Sequence, residues 1–408
     1  MKRIYLDYAA TTPVAPEVER AMKPYFRKVF GNPGSTHFVG QQASAAVFKA
    51  RQIIARALGC DYQEIIFTGS ATESNNLALR GVFGSFGFNS GHSGRLKLII
   101  SGIEHESILE TARDLEKQGV EVVYLPVNKD GLVDLKKLEA ALDERVALVS
   151  IQYANSEIGT IQPIKEIVSI IKSQKSNVLV HCDAVQALQF LPCQVNELGV
   201  DLMTLSAHKI YGPKGIGALY VRSLNPKPYP PNPIITGGGQ EFGLRSGTEN
   251  VPAIVGFARA VELISNSRLR PSVAKALAGR QGFGGQAREL ENKKIVGLRN
   301  YLWLEIKKLV PEAKINGVDL TDRLPNNLNI YFPGRPAQDL TMELDLWGVA
   351  VSPGTACSAR SARPSAVIQA LGYDQERAKS SLRFTLGRPT FKKEIDQVLT
   401  IFKKRFTS

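Results

Sequence analysis

The sequence predicts an α/β protein, with a large domain on a mostly parallel seven-stranded sheet and a smaller α+β C-terminal domain. Three observations predict it. Seven short β-rich apolar runs lie between residues 64 and 221. Helical stretches separate most of them. Beyond residue 255, strands and helices mix without that alternation. The expected boundaries are 1–15 for an N-terminal segment packing near the small domain, 16–255 for the large domain and 256–408 for the small one.

The runs are EIIFTG (64–69), LKLIIS (96–101), VEVVYLP (120–126), VALVSIQ (146–152), NVLVHCD (177–183), DLMTLSAH (201–208) and GALYV (217–221). Strands apolar throughout are covered on both faces, which favours parallel pairing. Helices are expected over Glu73 to Phe83, Ser107 to Gln118, Leu135 to Leu142 and Ile164 to Ser173. A proline-rich loop (226–233) and GGGQE (237–241) follow. A helix is expected over 252–266, then a basic Gly/Ala-rich insert at 268–288. Another helix runs from Glu289 to Val310, with Trp303 and Leu304 as core contacts. After it come a strand at Asn327–Phe332, a helix at Ala337–Leu346, a strand at Val349–Val351, a loop at 352–365, a helix and a strand within 381–387. In the last helix Ile395, Val398, Leu399 and Phe402 form a stripe at helical spacing.

The 408 residues are 43% hydrophobic and 22% charged, an ordinary globular balance. No apolar run has the length of a membrane span, and Asp7 interrupts the start, against a secretory signal. Four sparse cysteines, none spaced as CxxC, argue against disulfides or zinc and suit a reducing cytoplasm. Cys60, Cys182 and Cys193 read as small core residues. The net charge is +13, and Arg268, Arg270, Lys275, Arg280 and Arg288 of the insert supply five of the positive charges. No basic motif interleaved with aromatics accompanies the rest, so nucleic-acid binding is not expected.

In open parallel sheets, ligands sit at the carboxyl ends of the strands. SAHKIYGPKG (206–215) places Lys209 there among small residues, where a lysine can approach a flat cofactor. Ser206 and His208 beside it suit a phosphate. A surface lysine capping a turn fits this motif equally well. HCDAVQ (181–186) ends another strand with Asp183, which needs a cationic partner if buried, and Gln186 lies within reach of the same ligand. A helix cap is the plainer reading of that aspartate. In TGSATESNNLAL (68–79), Gly69, Ser70 and Thr72 open a helix whose free amides suit phosphate, or form an ordinary cap. His105 in SGIEHES follows a strand end and suits stacking and proton transfer. Asn155 in YANSEIG ends a further strand and suits orienting a ring and substrate. Thr248 in RSGTEN follows flexible glycines and suits phosphate, in this chain or a neighbouring one.

Cys357 lies in SPGTACSARSARPS (352–365), small, polar and turn-prone, a poor setting for a core residue. Arg360 and Arg363 beside it favour thiolate. Arg383, in the apolar run SSLRFTLGR (380–388), calls for a carboxylate partner, a ligand's or an internal one.

Together these motifs, with LDYAATTP (6–13) and FGNPGSTH (30–37), resemble the NifS/IscS-type cysteine desulfurases, fold-type I pyridoxal-phosphate enzymes of the class V aminotransferase family. The resemblance covers nearly the whole chain. It implies that Lys209 holds pyridoxal 5'-phosphate covalently, Asp183 faces the pyridine nitrogen, Gln186 the ring hydroxyl, and His105 stacks on the ring as acid/base. Thr72, Ser206 and His208 match phosphate ligands, with Thr248 reaching across a homodimer interface, and Ser70, Ala71 and Asn155 match further cofactor contacts. Asn155, Arg383 and Asn32 match substrate contacts. Cys357 matches the nucleophile that takes sulfur from L-cysteine as a persulfide, leaving L-alanine. It passes sulfur to an acceptor protein for iron–sulfur clusters or thiolated tRNA. No resident metal site is expected, only transient iron–sulfur ligation by Cys357.

The sequence departs from the family at 268–288, expected to be a surface excursion dispensable for activity, and at Arg363, where an acidic residue is expected. The rivals are a selenocysteine lyase or cysteine-sulfinate desulfinase on the same fold, and a non-catalytic basic binding protein.

Overall fold

The computed structural model describes residues 3–86, 96–222, 231–265, 283–354 and 364–406. Strand β1 (Ile4–Tyr5) leads into α1 (Pro16–Met22) and α2 (Phe38–Leu58). Then β2 (Ile65–Thr68), α3 (Ala71–Phe86), β3 (Lys97–Ser101), α4 (Glu106–Lys117), β4 (Glu121–Leu125) and α5 (Leu135–Ala141) alternate. The alternation continues through β5 (Val146–Gln152), α6 (Ile164–Gln174), β6 (Leu179–Asp183), α7 (Val195–Leu198), β7 (Leu202–Ser206) and β8 (Gly217–Val221).

These last seven strands, β2 to β8, form one sheet in the order β2-β8-β7-β6-β5-β3-β4. Only β8 runs against the others, antiparallel to both β7 and β2. The remaining strands therefore bring their carboxyl ends to one edge, which the amino end of β8 shares. Their side chains alternate between two apolar layers. Leu98 and Ile100 join Leu77, Phe83 and Ile108 of α3 and α4, while Ile99 joins the opposite layer with Val47 and Ile54 of α2. Burial on both faces explains why these strands read as continuous apolar runs.

Helix α2 has no counterpart in the sequence expectations. Its contact face is Ala43, Val47, Ala50, Ile54 and Leu58, all buried. Two alanines in that stripe weaken the hydrophobic periodicity that marks a helix. Its ends are nonetheless well signalled. The His37 side chain accepts from the Gly40 amide, and Gly59 closes the helix with φ 70°.

The chain continues through α8 (Val251–Ser265), α9 (Phe283–Leu309), β9 (Lys314–Ile315), β10 (Asn327–Tyr331), α10 (Ala337–Leu346) and β11 (Val349–Ala350). It ends with α11 (Ala366–Ala370), α12 (Gln375–Lys379), β12 (Ser381–Thr385) and α13 (Lys392–Phe406). A three-stranded antiparallel sheet, β12-β10-β9, packs against α13. There Phe402 lies 6.0 Å from both Phe332 and Phe384 between ring centroids. The stripe of Ile395, Val398, Leu399 and Phe402 is buried as its spacing predicts. In α9 the expectation fails in part. Leu304 is 56% exposed and Trp303 only packs on the core's margin, while Leu302 and Ile306 are buried. The core-facing pair is thus four apart and lies either side of Leu304.

The N-terminal segment ties the two sheets together. Ile4 pairs with Val349 of β11, and the Thr385 amide of β12 donates to Leu6 at 2.7 Å. The same segment then runs past the carboxyl edge of the large sheet.

Candidate active site at the carboxyl edge of the sheet

A cavity of about 300 Å³ opens at that edge. Loops after β2, β3, β5, β6 and β7 converge on it, so it gathers Ser70, Ala71, Thr72, His105, Asp183, Gln186, His208, Lys209 and Arg383. Residues far apart in sequence meet because the strands are parallel and their ends are level.

Lys209 stands one short helical turn beyond β7. Its Nζ donates to the carbonyls of Ala9 at 2.6 Å and Ala10 at 2.8 Å. Gln186 Nε2 donates to the same Ala9 carbonyl at 3.1 Å. The loop after the lysine carries a strained residue, Tyr211 at φ 66°. Its amide donates to Thr12 Oγ1 at 2.7 Å, which ties the loop to the N-terminal segment.

Asp183 ends β6 and is 7% exposed. Oδ1 accepts from the Val185 amide at 3.0 Å and Oδ2 from Asn75 Nδ2 at 2.9 Å. No lysine or arginine among the described residues pairs with it. A buried carboxylate facing a cavity with neutral partners alone calls for a cation.

Helix α3 opens onto the cavity at Ala71 and Thr72, where first-turn amides lack intrahelical acceptors. Ser70 Oγ accepts from the Glu73 amide at 3.2 Å. The Glu73 carboxylate, itself bridged by Arg245 at 2.8 Å, accepts from the Gly69 amide. Gly217 allows this approach, since a Cβ there would lie 2.7 Å from the Ser70 carbonyl carbon and 2.8 Å from the Ala71 nitrogen. His208 binds Thr11 Oγ1 through Nδ1 at 3.1 Å. Burial first, then the charges of Lys209 and Lys214, hold its pKa down at about 4, so the ring is neutral. Ser206 Oγ is buried without a hydrogen-bond partner.

These features fit pyridoxal phosphate. Asp183 lacks a cation that a protonated pyridine nitrogen would supply. The α3 amides, beside the unpartnered Ser206 hydroxyl, suit an anion at a helix N-terminus. Lys209 supplies the amine.

His105 caps α4, with Nδ1 accepting from the Ser107 amide at 3.1 Å. Arg383 is 2% exposed, and its guanidinium binds Asp7 Oδ1 at 2.7 Å and the Ser156 carbonyl at 2.9 Å. The internal carboxylate partner left open by the sequence is therefore Asp7.

Other sequence candidates lie elsewhere. Asn155 is buried behind the cavity. It donates to the Ile103 carbonyl at 3.1 Å and accepts from the Glu157 and Ile158 amides, contacts that shape the turn. Thr248 is exposed and lines a separate cleft of about 140 Å³ with Gly69 and Arg245. Asn32 is exposed and accepts from its own turn's Gly34 amide at 2.9 Å, because Asn-x-Gly loops close on themselves. Cys357, Arg360 and Arg363 lie outside the described residues, as does most of the 268–288 insert. The described roots of the Cys357 loop lie close by. Ser352 exchanges backbone hydrogen bonds with Arg383, and Ser365 donates to the buried Glu157 carboxylate.

The other three thiols are poor nucleophiles. Burial pushes Cys60 and Cys193 up to about 12 and also raises Cys182 well above its ordinary value. Among the described residues no group of three or more His, Cys, Asp or Glu side chains could hold a metal ion. No described helix is long and apolar enough to cross a membrane.

Sequence reasoning missed Asn75, Ser107, Gln152 and the carbonyls of Ala9 and Ala10. Asn75 stands in the quoted TGSATESNNLAL motif, one helical turn past Ala71, so its position was available. Backbone carbonyls give no sequence signal.

The profile of the family described as aminotransferase class-V matches residues 4–398. The chain is 42% identical over 405 residues to a cysteine desulfurase IscS of Dictyoglomus turgidum, covering 99% of this chain and 95% of the relative. It is 46% identical to a mitosomal cysteine desulfurase of Encephalitozoon cuniculi, covering 97% and 85%. Among solved structures, a NifS-like protein superposes with a TM-score of 0.86 at 36% identity, covering 99% of each chain. A chain described as SspA in complex with cysteine gives 0.75 at 34%, covering 94% of this chain and 98% of that one.

Proposed function

This chain belongs to the class-V aminotransferase family, and we propose that within it the protein is a pyridoxal-phosphate-dependent cysteine desulfurase. The observation that carries the reading is the meeting of Lys209, His105 and the cation-less Asp183 in one cavity. A binding protein has no use for an amine, an imidazole and a carboxylate so arranged.

When bound, pyridoxal phosphate supplies an electron sink that lets the substrate's α-proton leave and its carbon–sulfur bond break. The chain's residues do the rest. Lys209 would hold the cofactor and would take and return protons at Nζ. Asp183 keeps the pyridine nitrogen protonated. The amides opening α3, with Ser70, Ser206 and His208, hold the phosphate. Arg383 binds the substrate carboxylate in exchange for part of its hold on Asp7. His105 moves protons at the substrate end. Cys357 attacks the substrate's sulfur: a sulfur–sulfur bond forms, the carbon–sulfur bond breaks, and the carbon takes up a proton to leave as L-alanine.

The finer reading belongs to the same proposal. The protein works as a homodimer in which Thr248 contacts the partner's cofactor phosphate. It resides in the cytoplasm, in keeping with its sparse cysteines. It hands sulfur to an iron–sulfur scaffold or a tRNA-thiolation carrier. The test is incubation of the loaded protein with L-cysteine, then mass analysis. A one-sulfur adduct on Cys357 with release of alanine is expected, and wild-type sulfide and alanine release from Cys357→Ser would sink the assignment.

A further inference from the structure

Along the cavity wall, four side chains form one hydrogen-bonded chain. Asn75 Nδ2 donates to Asp183 Oδ2 at 2.9 Å and to Ser107 Oγ at 2.8 Å. Ser107 Oγ lies 2.9 Å from His105 Nδ1, and the Ser107 amide donates to the same nitrogen at 3.1 Å. Asn75 is 1% exposed and Ser107 8%, so both contacts are largely shielded from water.

The proton directions along this chain follow from its ends. Both Asp183 oxygens accept, one from Val185 and one from Asn75. A carboxylate cannot face an amide oxygen at that distance, so Asn75 must turn its NH₂ inward. The NH₂ has two hydrogens, and both are then used. Ser107 Oγ receives the second, which leaves its own hydrogen for His105 Nδ1. With a hydroxyl and a backbone amide both aimed at Nδ1, that nitrogen carries no proton, and the neutral ring holds its proton on Nε2. The Asn75 carbonyl is correspondingly stranded: Oδ1 is buried with no partner. An asparagine placed for packing would turn to satisfy it. Here the carboxylate forbids the turn.

We infer that Asn75 and Ser107 are positioning residues that couple Asp183 to His105 and fix His105 as the Nε2–H tautomer. The inference rests on the desulfurase reading only for what His105 does with that proton. It implies that the acid/base group offers a proton, and not a lone pair, on its ring nitrogen remote from Ser107. It also implies that the group's orientation is set by the residue expected beneath the cofactor's pyridine nitrogen.

The test is two-bond ¹⁵N–¹H correlation on the full chain labelled at histidine, with and without pyridoxal phosphate. Five histidines keep the spectrum simple, and loss of a signal in His105→Gln assigns it. Wild type should show the Nε2–H pattern for His105 in both states, and an Nδ1–H pattern overturns the inference. Asn75→Ala frees the Ser107 hydroxyl to turn, and the Nδ1–H population should rise about tenfold, the value of one ordinary hydrogen bond. Ser107→Ala should do the same, and Ser107→Thr, which keeps the hydroxyl, should restore the wild-type pattern. An unchanged tautomer in both folded alanine variants also overturns it. In the loaded enzyme, Asn75→Ala should lower kcat at least tenfold and leave KM for cysteine near wild type, as expected for lost acid/base alignment. A protein that takes up no cofactor yet shows the pure Nε2–H pattern would refute the desulfurase reading and leave this coupling standing.

Discussion

The ammonium nitrogen of Lys209 lies 2.6 Å from the carbonyl oxygen of Ala9, across a sequence separation of two hundred residues. Together with Ala10, this carbonyl occupies the amine that a cofactor aldehyde must reach. Loading therefore requires Lys209 to leave the N-terminal segment and lose a proton. The rate of cofactor uptake should rise with pH, since only the neutral amine attacks. Stopped-flow absorbance checks this, and a pH-independent rate would show that the contact does not gate loading. Lys209→Ala should abolish the visible band of the bound cofactor, and unchanged absorption would rule out the lysine assignment.

Arg383 and Asp7 form a second long-range pair. Arg383 is nearly inaccessible, and Asp7 is its charged partner at 2.7 Å. Asp7→Ala leaves that guanidinium buried without its counter-charge, and should cost about 3–5 kcal/mol in urea unfolding. Arg383→Ala should lower kcat/KM for L-cysteine by about ten- to a hundredfold, the range for losing a hydrogen bond to a charged group.

Two histidines, one buried and one half-buried, set an acid limit on stability. His181 bridges Ser150 at 2.8 Å and Thr204 at 3.0 Å inside the sheet. Burial lowers its pKa to about 4, and His208 is lowered to about 4 chiefly by burial. An unfolded histidine protonates near 6.5, so as pH falls from there toward 4 the unfolded chain gains protons that the folded one refuses. Stability contributed by these rings is present above about 6.5 and is lost as pH falls toward 4. Urea midpoints between those limits should fall steadily, and His208→Asn should flatten the slope.

Glu104 and Glu157 act in the opposite sense. Both are buried, and burial raises their pKa values. Each has one carboxyl oxygen without a hydrogen bond. Their contribution to stability is complete below the unfolded value near 4.3 and declines as pH rises through the raised folded values. Glu104→Gln should therefore gain stability relative to wild type as pH increases, with no gain at pH 4. A constant difference across the range would show that desolvation is not the cause.

The 268–288 insert is predicted to be dispensable, and the structure narrows the deletion that tests this. Arg288 is half-buried and donates to the Leu191 carbonyl at 2.8 Å, so it belongs to the packed body. Removing 268–282 should leave desulfurization at the wild-type rate, whereas loss of activity in a folded deletion protein would assign the insert a role.

The main sheet and the meeting of Lys209, Asp183 and His105 at one edge were legible because continuous apolar runs mark buried strands, and polar residues just past them mark the ligand edge. Asn32 read as a site residue from its motif alone, and its oxygen accepts from the Gly34 amide of its own turn. Asn155 was placed at a strand end that borders the site, and its oxygen accepts from the Glu157 and Ile158 amides, contacts the motif does not signal. Asn75 and Ser107 were not singled out, since each owes its importance to partners more than thirty positions away. Helix α2 escaped because alanine fills much of its buried stripe.

The clasp between the first ten residues and β12 has a consequence for synthesis. The Ala9 amide donates to Thr385 Oγ1, and Asp7 pairs with Arg383, both across 376 positions. A ribosome adding about 5–20 residues per second needs roughly 20–75 s to traverse that distance. For that interval Asp7 and Ala9 lack their β12 partners, although the same segment can already meet Lys209 and Tyr211. The part of the chamber that Arg383 supplies is therefore added well after the part that Lys209 supplies.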